Sequence, residues 1–320
     1  MIYLDINEIK ARFFQNRHKP VHILLGTDWW TDCDDVAALR LIAWAVQNDY
    51  CILDAVGING CMEFSAPSVD AFLTAEGCPD IAIGIDREAT DFGGNPPYQR
   101  RMTEYPHSIQ SNDECEDAVK LYRRILASCE DRLDIIEIGY PQILSGLLQS
   151  TGDDVSDRSG YELVKEKVNK LWMMAGNWEN LDSGRENNFT RNDRSRKAGS
   201  YVCEYWPTPI TFLGWEVSSH VLTGGILTSE NDMVHMAFCD HGSQNGRSSW
   251  DPMLVWMALC GDEETAGYET LRGKASVNAE TGENSFALHA AGSHCFVKKA
   301  KPDDFYQNSI NAILEEKQCF

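Results

Sequence analysis

Short apolar runs alternate with stretches of helical period along most of the chain. The runs are bounded by turn residues and predict buried strands at residues 22–25, 52–57, 81–84, 135–138, 171–174 and 210–213. The stretches between and after them predict helices at residues 36–46, 69–73, 118–127, 198–205 and 253–259. This order of strands and helices is typical of βα units. It predicts an α/β protein with an open, mainly parallel, doubly wound sheet and helices on both faces.

The last part of the chain has a different pattern. Residues 274–277, 285–289 and 294–298 alternate apolar and polar side chains, which predicts a small C-terminal β extension, a meander at the margin of the sheet. Residues 303–317 carry apolar side chains on one helical face and predict an amphipathic helix that closes the core. Because no linker, repeat or low-complexity tract interrupts the 320 residues, we expect a single domain over residues 1–320.

Four aspartates lie between the first predicted strand and the helix that follows it. Asp28, Asp32, Asp34 and Asp35 fall within eight residues, so their charges repel unless protons or a cation bind. Open α/β sheets hold ligands at this kind of strand-to-helix turn. One Asp is enough to cap a helix, and four are not needed for that purpose. The segment therefore predicts a metal site, and its all-oxygen ligands favour Ca²⁺ over Mg²⁺.

The spacing Asp28-x-x-Thr31-Asp32-x-Asp34-Asp35 resembles the N-terminal signature of the nucleoside hydrolases, the inosine/uridine-type N-ribohydrolases. In that family the first strand usually ends Asp-x-Asp, whereas here Gly26 stands at the first of these positions. The resemblance implies the nucleoside hydrolase fold and calcium-dependent cleavage of the N-glycosidic bond of ribonucleosides. It makes Asp28 the general base and a metal ligand, Asp35 a second metal ligand, and Asp34 the residue that orients Asp28.

Two later segments also match the family and complete the implied metal site. Asp251 precedes Pro252 at the start of a predicted helix, where the family carries its last metal-ligating Asp. An Asp-Pro pair is also an ordinary helix start. Gln142 stands, by direct count, where the family provides a backbone carbonyl to the metal. Trp250 stands where the family often has the His that protonates the leaving base. Two alternatives follow: His220 or His241 protonates the base, or no acid acts and an aromatic ring stacks on the base.

The resemblance also implies a substrate-binding side of the site. Glu186 and Asn188 follow the strand at residues 171–174 and correspond to the family segment that holds the ribose hydroxyls. The further residues assigned to substrate binding are Asn59, Met174, Asn180 and Trp250.

Composition narrows the class of protein. The chain has 49 acidic and 28 basic residues and a net charge of −21, which argues against a nucleic acid polymer as partner. We expect no membrane partner, because no signal-peptide pattern and no long apolar run is present. The 11 cysteines are scattered, which indicates reduced thiols and a cytoplasmic location. The resemblance adds a small nucleoside or ribosyl substrate and a homodimer or homotetramer.

Three other functions remain open at this level. One is a hydrolase of another ribosylated compound on the same scaffold. Another is a non-catalytic, calcium-dependent protein that binds ribose or nucleosides. The last is a phosphatase of the haloacid dehalogenase type, which also begins with an Asp-rich strand end, but Gly26 lacks the carboxylate that its nucleophile requires.

Overall fold

The computed structural model of the chain describes residues 6–15, 19–30, 32–90 and 93–316. Its strands are β1 Val21–Thr27, β2 Cys51–Ile58, β3 Ala82–Ile85, β4 Glu116–Asp117, β5 Leu133–Glu137, β6 Val168–Met174, β7 Ile210–Leu213, β8 Leu222–Thr223, β9 Arg247–Ser248, β10 Tyr268–Val277, β11 Asn284–Leu288 and β12 His294–Lys299.

Helices cover both faces of the sheet. They are α1 Ile6–Gln15, α2 Asp34–Gln47, α3 Ser65–Ala75, α4 Pro97–Met102, α5 Ala118–Ser128, α6 Gln142–Gln149, α7 Gly160–Lys167, α8 Asn187–Thr190, α9 Asp193–Tyr205, α10 Trp215–Ser218, α11 Met233–His241, α12 Trp250–Cys260 and α13 Asp303–Glu315, with a 3₁₀ turn at Asn112–Glu114. None of the helices in the described ranges is long and apolar enough to cross a membrane.

Ten of the described strands form one sheet, in the order β11-β10-β12-β7-β6-β5-β1-β2-β3-β4. The strands from β12 to β4 pair in parallel, whereas β10 pairs antiparallel with both β11 and β12. The predicted open, mainly parallel sheet with helices on both faces is confirmed. That residues 1–320 form a single domain stays a prediction.

The C-terminal extension lies at the expected margin, but its strand order differs from that of a sequential meander. β10 occupies the middle, and β12 returns to lie beside β7. The first four residues of β12 are all buried, whereas β11 is half exposed. The more deeply buried strand therefore lies inside the sheet and the half-exposed strand lies at its edge.

Two apolar layers pack against the two faces of the sheet. Successive residues of β1 alternate between them, with Ile23 and Leu25 in one layer and Leu24 in the other. The first layer packs α2 and α12 side by side, so the N-terminus of α12 lies near the turn that follows β1. The predicted tail helix is present as α13, and its expected end at Lys317 falls outside the described residues.

Candidate active site

A cavity of about 270 Å³ opens where β1, β5 and β6 end. Its walls include the predicted site residues Asp28, Asp34, Asp35, Met174, Glu186, Asn188, Trp250 and Asp251. Asp32, which belongs to the predicted acidic segment but had no assigned role, also lines it, as do four residues that were not predicted: Ile138, Asn187, Trp215 and Arg247. Segments far apart in the sequence therefore meet at the carboxyl edge of the sheet, where parallel α/β proteins hold ligands.

The turn from β1 to α2 is tied together by its own polar side chains. The Thr27 hydroxyl donates to the Asp35 carboxylate and accepts a hydrogen bond of 3.0 Å from the Trp29 amide. The Trp30 amide donates to Asp28 Oδ1 at 3.0 Å. These bonds bring Asp35, from the first turn of α2, back to the end of β1 and beside Asp28.

Trp29 adopts an unusual backbone conformation within this turn. Its φ of +52° lies in the left-handed region, which is uncommon for a bulky residue. The indole is fully buried, and its Nε1 donates to Ser68 Oγ at 2.9 Å. Its carbonyl accepts bonds from the Tyr98 hydroxyl at 3.0 Å and from Gln99 Nε2 at 2.8 Å. The surrounding contacts thus hold a strained turn at the site, a pattern associated with functional positions.

The N-termini of α2 and α12 meet at one wall of the cavity. The Asp251 amide donates to Asp34 Oδ2 at 3.0 Å, and both side chains are almost completely buried. Helix N-termini favour negative charge, which offsets part of the cost of these buried carboxylates.

Four carboxylates that line the cavity are electrostatically unfavourable on their own: Asp28, Asp34, Asp35 and Asp251. Burial raises the pKa of Asp28 and of Asp251 well above the usual range, and the neighbouring aspartates raise both further. Burial, and next to it the charge of Asp32, raises the pKa of Asp35 to about 7. Protons or a cation must relieve this repulsion.

Asp32 extends the acidic cluster beyond the predicted ligand set. Single carboxylate oxygens of Asp32, Asp34 and Asp35 lie within 4.8 Å of one another, so this group can hold a metal ion. Burial on its own would raise the pKa of Asp32. A hydrogen bond with Asp34 and the positive charge of Arg247 outweigh this effect and hold the pKa below its usual value. Arg247 donates to Asp32 at 3.0 Å. The sequence offered one clue to the role of Arg247, which is that it lies four residues before Asp251 in a segment that matches the family.

The opposite wall is built from the end of β6 and the start of α8. Glu186 caps α8, since its Oε1 accepts from the Asn188 amide at 2.8 Å and its Oε2 from the Gly176 amide at 3.1 Å. Asn188 Nδ2 donates to the Met174 carbonyl at 2.8 Å. Burial raises the pKa of Glu186 to about 7 against the effect of these amides. Two polar side chains are thereby fixed opposite the acidic wall.

Tyr140 connects the two walls and was missed by sequence reasoning. Its buried hydroxyl hydrogen-bonds to the Asp28 carboxylate and accepts from Asn187 Nδ2 at 3.3 Å. The residue follows Gly139 in the turn after β5, within the segment that matched the family only by count. A side chain in such a turn cannot be oriented from sequence alone.

Some predicted site residues do not line the cavity. Asn59 is fully buried, and its side chain donates to Glu137 at 2.8 Å and accepts from the Tyr140 amide at 2.9 Å, so it orders the Tyr140 turn. The Gln142 side chain is buried without a hydrogen-bond partner among the described residues. Asn180 is exposed, because its loop pairs with β11 through Leu181 and Gly184 at the sheet edge. The two histidines considered as acids, His220 and His241, are also absent from the described lining.

Gly26, which departs from the family pattern, lies against a carboxylate from the neighbouring strand. Gly26 pairs with Glu137 across β1 and β5, and a Cβ at Gly26 would lie 2.2 Å from Glu137 Oε2. Burial raises the pKa of Glu137 to about 8, although the Gly139 amide and Asn59 donate to it. The end of β1 therefore has a carboxylate beside it that β5 supplies.

Two tryptophans form the aromatic part of the wall. The rings of Trp215 and Trp250 stack at 6.5 Å between centroids with an interplanar angle of 26°. Trp250 Nε1 donates to the Trp215 carbonyl at 3.0 Å, and the Arg247 guanidinium lies 5.0 Å from the Trp250 ring centroid. Trp215 is 44% exposed, so this pair lies at the cavity mouth.

Comparison with known proteins identifies the fold of this chain but not its family. No protein-family model matches the sequence, and no curated protein is similar to it. Among solved structures, a purine-preferring ribonucleoside hydrolase from Gardnerella vaginalis is similar at 16% identity and a TM-score of 0.64, covering 92% of this chain and 98% of that chain. An inosine-uridine preferring nucleoside hydrolase from Bacillus anthracis is similar at 14% identity and a TM-score of 0.63, covering 92% and 99%.

This chain has the nucleoside hydrolase fold. The expectation drawn from the aspartate-rich segment is thereby confirmed for the architecture. The same fold is found in the type III effector protein XopQ, complexed with adenosine diphosphate ribose, at 12% identity and a TM-score of 0.66, covering 96% of this chain and 97% of that chain. Identities this low establish the fold alone, so the activity has to be argued from the cavity.

Proposed function

We propose that the protein is a calcium-dependent hydrolase that cleaves the N-glycosidic bond of ribonucleosides to give ribose and a free base. One observation carries the proposal. The aspartates at the starts of α2 and α12 face Glu186 and Asn188 across a single cavity of about 270 Å³. This arrangement offers a cation site and a polar hydroxyl-binding wall within the reach of one small sugar.

The chemistry of the donors supports a hard divalent cation. The proposed ligands of Ca²⁺ are Asp28, Asp35, Asp251 and the backbone carbonyl near Gln142, all of them oxygen donors. Asp32 and Asp34 add negative charge beside them. A bound divalent cation would lower the pKa of a water molecule at the site.

Asp28 is the proposed general base. The Trp30 amide and the Tyr140 hydroxyl hold its carboxylate in place, and Asp34, the proposed supporting residue, lines the same cavity. Asp28 accepts a proton as a water molecule attacks the anomeric carbon of the ribosyl group. Positive charge develops on the sugar in the oxocarbenium-like transition state, and Glu186 stabilises that charge from the opposite wall.

We propose that aromatic stacking, rather than a histidine, acts on the leaving base. None of the cavity-lining residues within the described ranges is a histidine, whereas Trp250 and Trp215 both line it. A flat base stacked on Trp250 remains close to the ribose while the bond breaks.

The test is release of ribose from inosine, uridine and nitrophenyl riboside by calcium-loaded protein. Asp28→Asn keeps the size of the side chain and removes the base, so turnover should fall roughly 10²–10⁴-fold. Asp134→Asn is the matched control, because Asp28 and Asp134 are both 4% exposed and Asp134 lies outside the cavity. This control should retain most of the wild-type rate.

Two outcomes would contradict the proposal. Full activity of Asp28→Asn would remove the assigned base. Tight binding of ribosides without any turnover would favour the alternative of a calcium-dependent ribosyl-binding protein. ADP-ribose belongs among the compounds tested, since it carries a ribosyl group and is the ligand named for the XopQ structure.

A further inference from the structure

The charge of the cavity restricts the ligands that it can hold. Within the described part of the chain, six carboxylates and one guanidinium line it. The guanidinium of Arg247 is already paired with Asp32 at 3.0 Å, so it has little charge left to offer a ligand. With a divalent cation on Asp28, Asp35 and Asp251, the three ligating carboxylates outweigh its two positive charges, and the cavity keeps a net negative charge. Its field therefore favours a cationic ligand over a neutral one and disfavours an anion.

The mouth of the cavity is suited to a flat cation. Trp250 and Trp215 present indole rings, whose faces attract positive charge. Such a contact is already present at the mouth, since the Arg247 guanidinium lies 5.0 Å from the centre of the Trp250 ring. A heteroaromatic cation would combine stacking with this attraction.

Among the residues that the structure describes, the mouth has no group that readily gives up a proton. The mouth residues Trp215, Trp250 and Arg247 carry N–H groups that stay protonated near neutral pH. The carboxylates are assigned to the metal and the sugar. A neutral base departs as an anion and needs a proton, whereas a cationic base departs as a neutral molecule and needs none.

We infer that the preferred substrates are ribosides of a cationic heteroaromatic base, such as an N-ribosylpyridinium or an N7-alkylated purine nucleoside. The inference rests on the proposed function and names its substrate class. Water adds to the anomeric carbon and the bond from that carbon to the ring nitrogen breaks. The bonding electron pair goes to the ring nitrogen and cancels its positive charge. Asp28 takes a proton from the water, and the products are ribose, a neutral base and one proton.

The experiment compares three ribosides on calcium-loaded wild-type protein. 7-Methylguanosine and guanosine differ by one methyl group and one charge, and nitrophenyl riboside is a neutral compound with a good leaving group. Because general acid catalysis contributes roughly 10²–10⁴-fold, we expect kcat/KM for 7-methylguanosine to exceed that for guanosine by about 10² or more. Added salt should raise KM for 7-methylguanosine and leave KM for nitrophenyl riboside nearly unchanged.

A pair of variants tests the aromatic contact. Trp250→Leu removes the ring and should raise KM for 7-methylguanosine by about fivefold, whereas Trp250→Phe keeps an aromatic face and should raise it less. Equal kcat/KM for 7-methylguanosine and guanosine would overturn the inference, as would a KM for 7-methylguanosine that does not respond to salt.

Failure of the proposed function can be told apart from failure of this inference. If none of the three ribosides is hydrolysed, the proposed function fails, and calorimetric binding to the wild-type protein then decides the substrate class. Tighter binding of 7-methylguanosine than of guanosine would support a cation-selective cavity. Equal binding of the two would overturn it.

Discussion

A methyl group at Gly26 should disrupt the link between β1 and β5. The Cβ of Gly26→Ala would lie 2.2 Å from Glu137 Oε2 and 2.5 Å from its carboxyl carbon, and both distances are too short. Glu137 must move, although it is fully buried and accepts bonds from Asn59 at 2.8 Å and from the Gly139 amide at 3.0 Å. Overpacking costs about 1–3 kcal/mol and an unpaired buried donor about 1–3 kcal/mol. We expect a loss of about 3 kcal/mol.

The assay is a double-mutant cycle followed by thermal unfolding. Gly26→Ala should lower Tm by roughly 4–5 °C, because the unfolding entropy of a 320-residue chain is about 0.7 kcal/mol/K. Glu137→Ala also destabilises the fold, because it leaves the same two donors unpaired. The double variant should lose about 2 kcal/mol less unfolding free energy than the two single variants lose together. The reason is that the clash of the new methyl group requires the Glu137 carboxylate, which the double variant lacks. Gly94→Ala is the control, because its Cβ would meet nothing within 4 Å.

Additive losses in this cycle would refute the reasoning. They would show that the new methyl group at Gly26 acts through some contact other than Glu137. An unchanged Tm for Gly26→Ala would also refute the reasoning, because it would show that the methyl group fits without any movement of Glu137.

Two further predictions concern proton and metal binding. Since burial raises the pKa of Glu137 from 4.5 to about 8, the folded protein keeps a proton there that the unfolded chain releases. The free energy of unfolding of the wild-type protein, relative to that of Glu137→Gln, should therefore fall by about 1.4 kcal/mol per pH unit between pH 4.5 and about 8. Both proteins are measured in calcium. Parallel pH profiles for the two proteins would contradict this prediction. Calcium at about 100 times its Kd should stabilise the wild-type protein by about 2.7 kcal/mol and stabilise Asp251→Asn much less. An equal calcium-induced shift in Tm for both proteins would exclude Asp251 as a ligand.

The sequence was sufficient to predict the fold. The periodicity of apolar residues indicates each strand and helix, and the residues that end each strand indicate what lies at the edge of the sheet. Apolar runs such as the one beginning at Val21 became central strands, and the aspartates that follow it reached the carboxyl edge of the sheet, as the βα pattern requires. Short elements such as α4 and β4 were missed, since a few residues do not establish a period.

Site residues were predictable where they directly follow a strand or begin a helix. Asp28, Asp35 and Asp251 occupy such positions, and the structure places all three on one cavity wall. Contacts made by loops were not predictable. Asn180 lies on a loop that pairs with the sheet edge, and Tyr140 reaches Asp28 only through the turn after β5.

The structure shows which side chain lies beside Gly26, the position at which this chain departs from the family pattern, and the sequence could not show this. The carboxylate that the family carries at the position of Gly26 is absent from β1, and the side chain of Glu137 from β5 lies against that glycine. Strand register, which sequence alone does not give, decides which residue faces Gly26. The homodimer or homotetramer and the cytoplasmic location stay predictions.

The most direct test of the account is ribose release from nitrophenyl riboside by the wild-type protein, measured after chelation and again after calcium is restored. This substrate needs little help with its leaving group, so the measurement depends on the acidic wall and the sugar-binding wall alone. The account predicts turnover with calcium, its loss on chelation and its recovery when calcium returns. Turnover that is unaffected by complete removal of divalent cations would contradict it, as would no turnover at any calcium concentration.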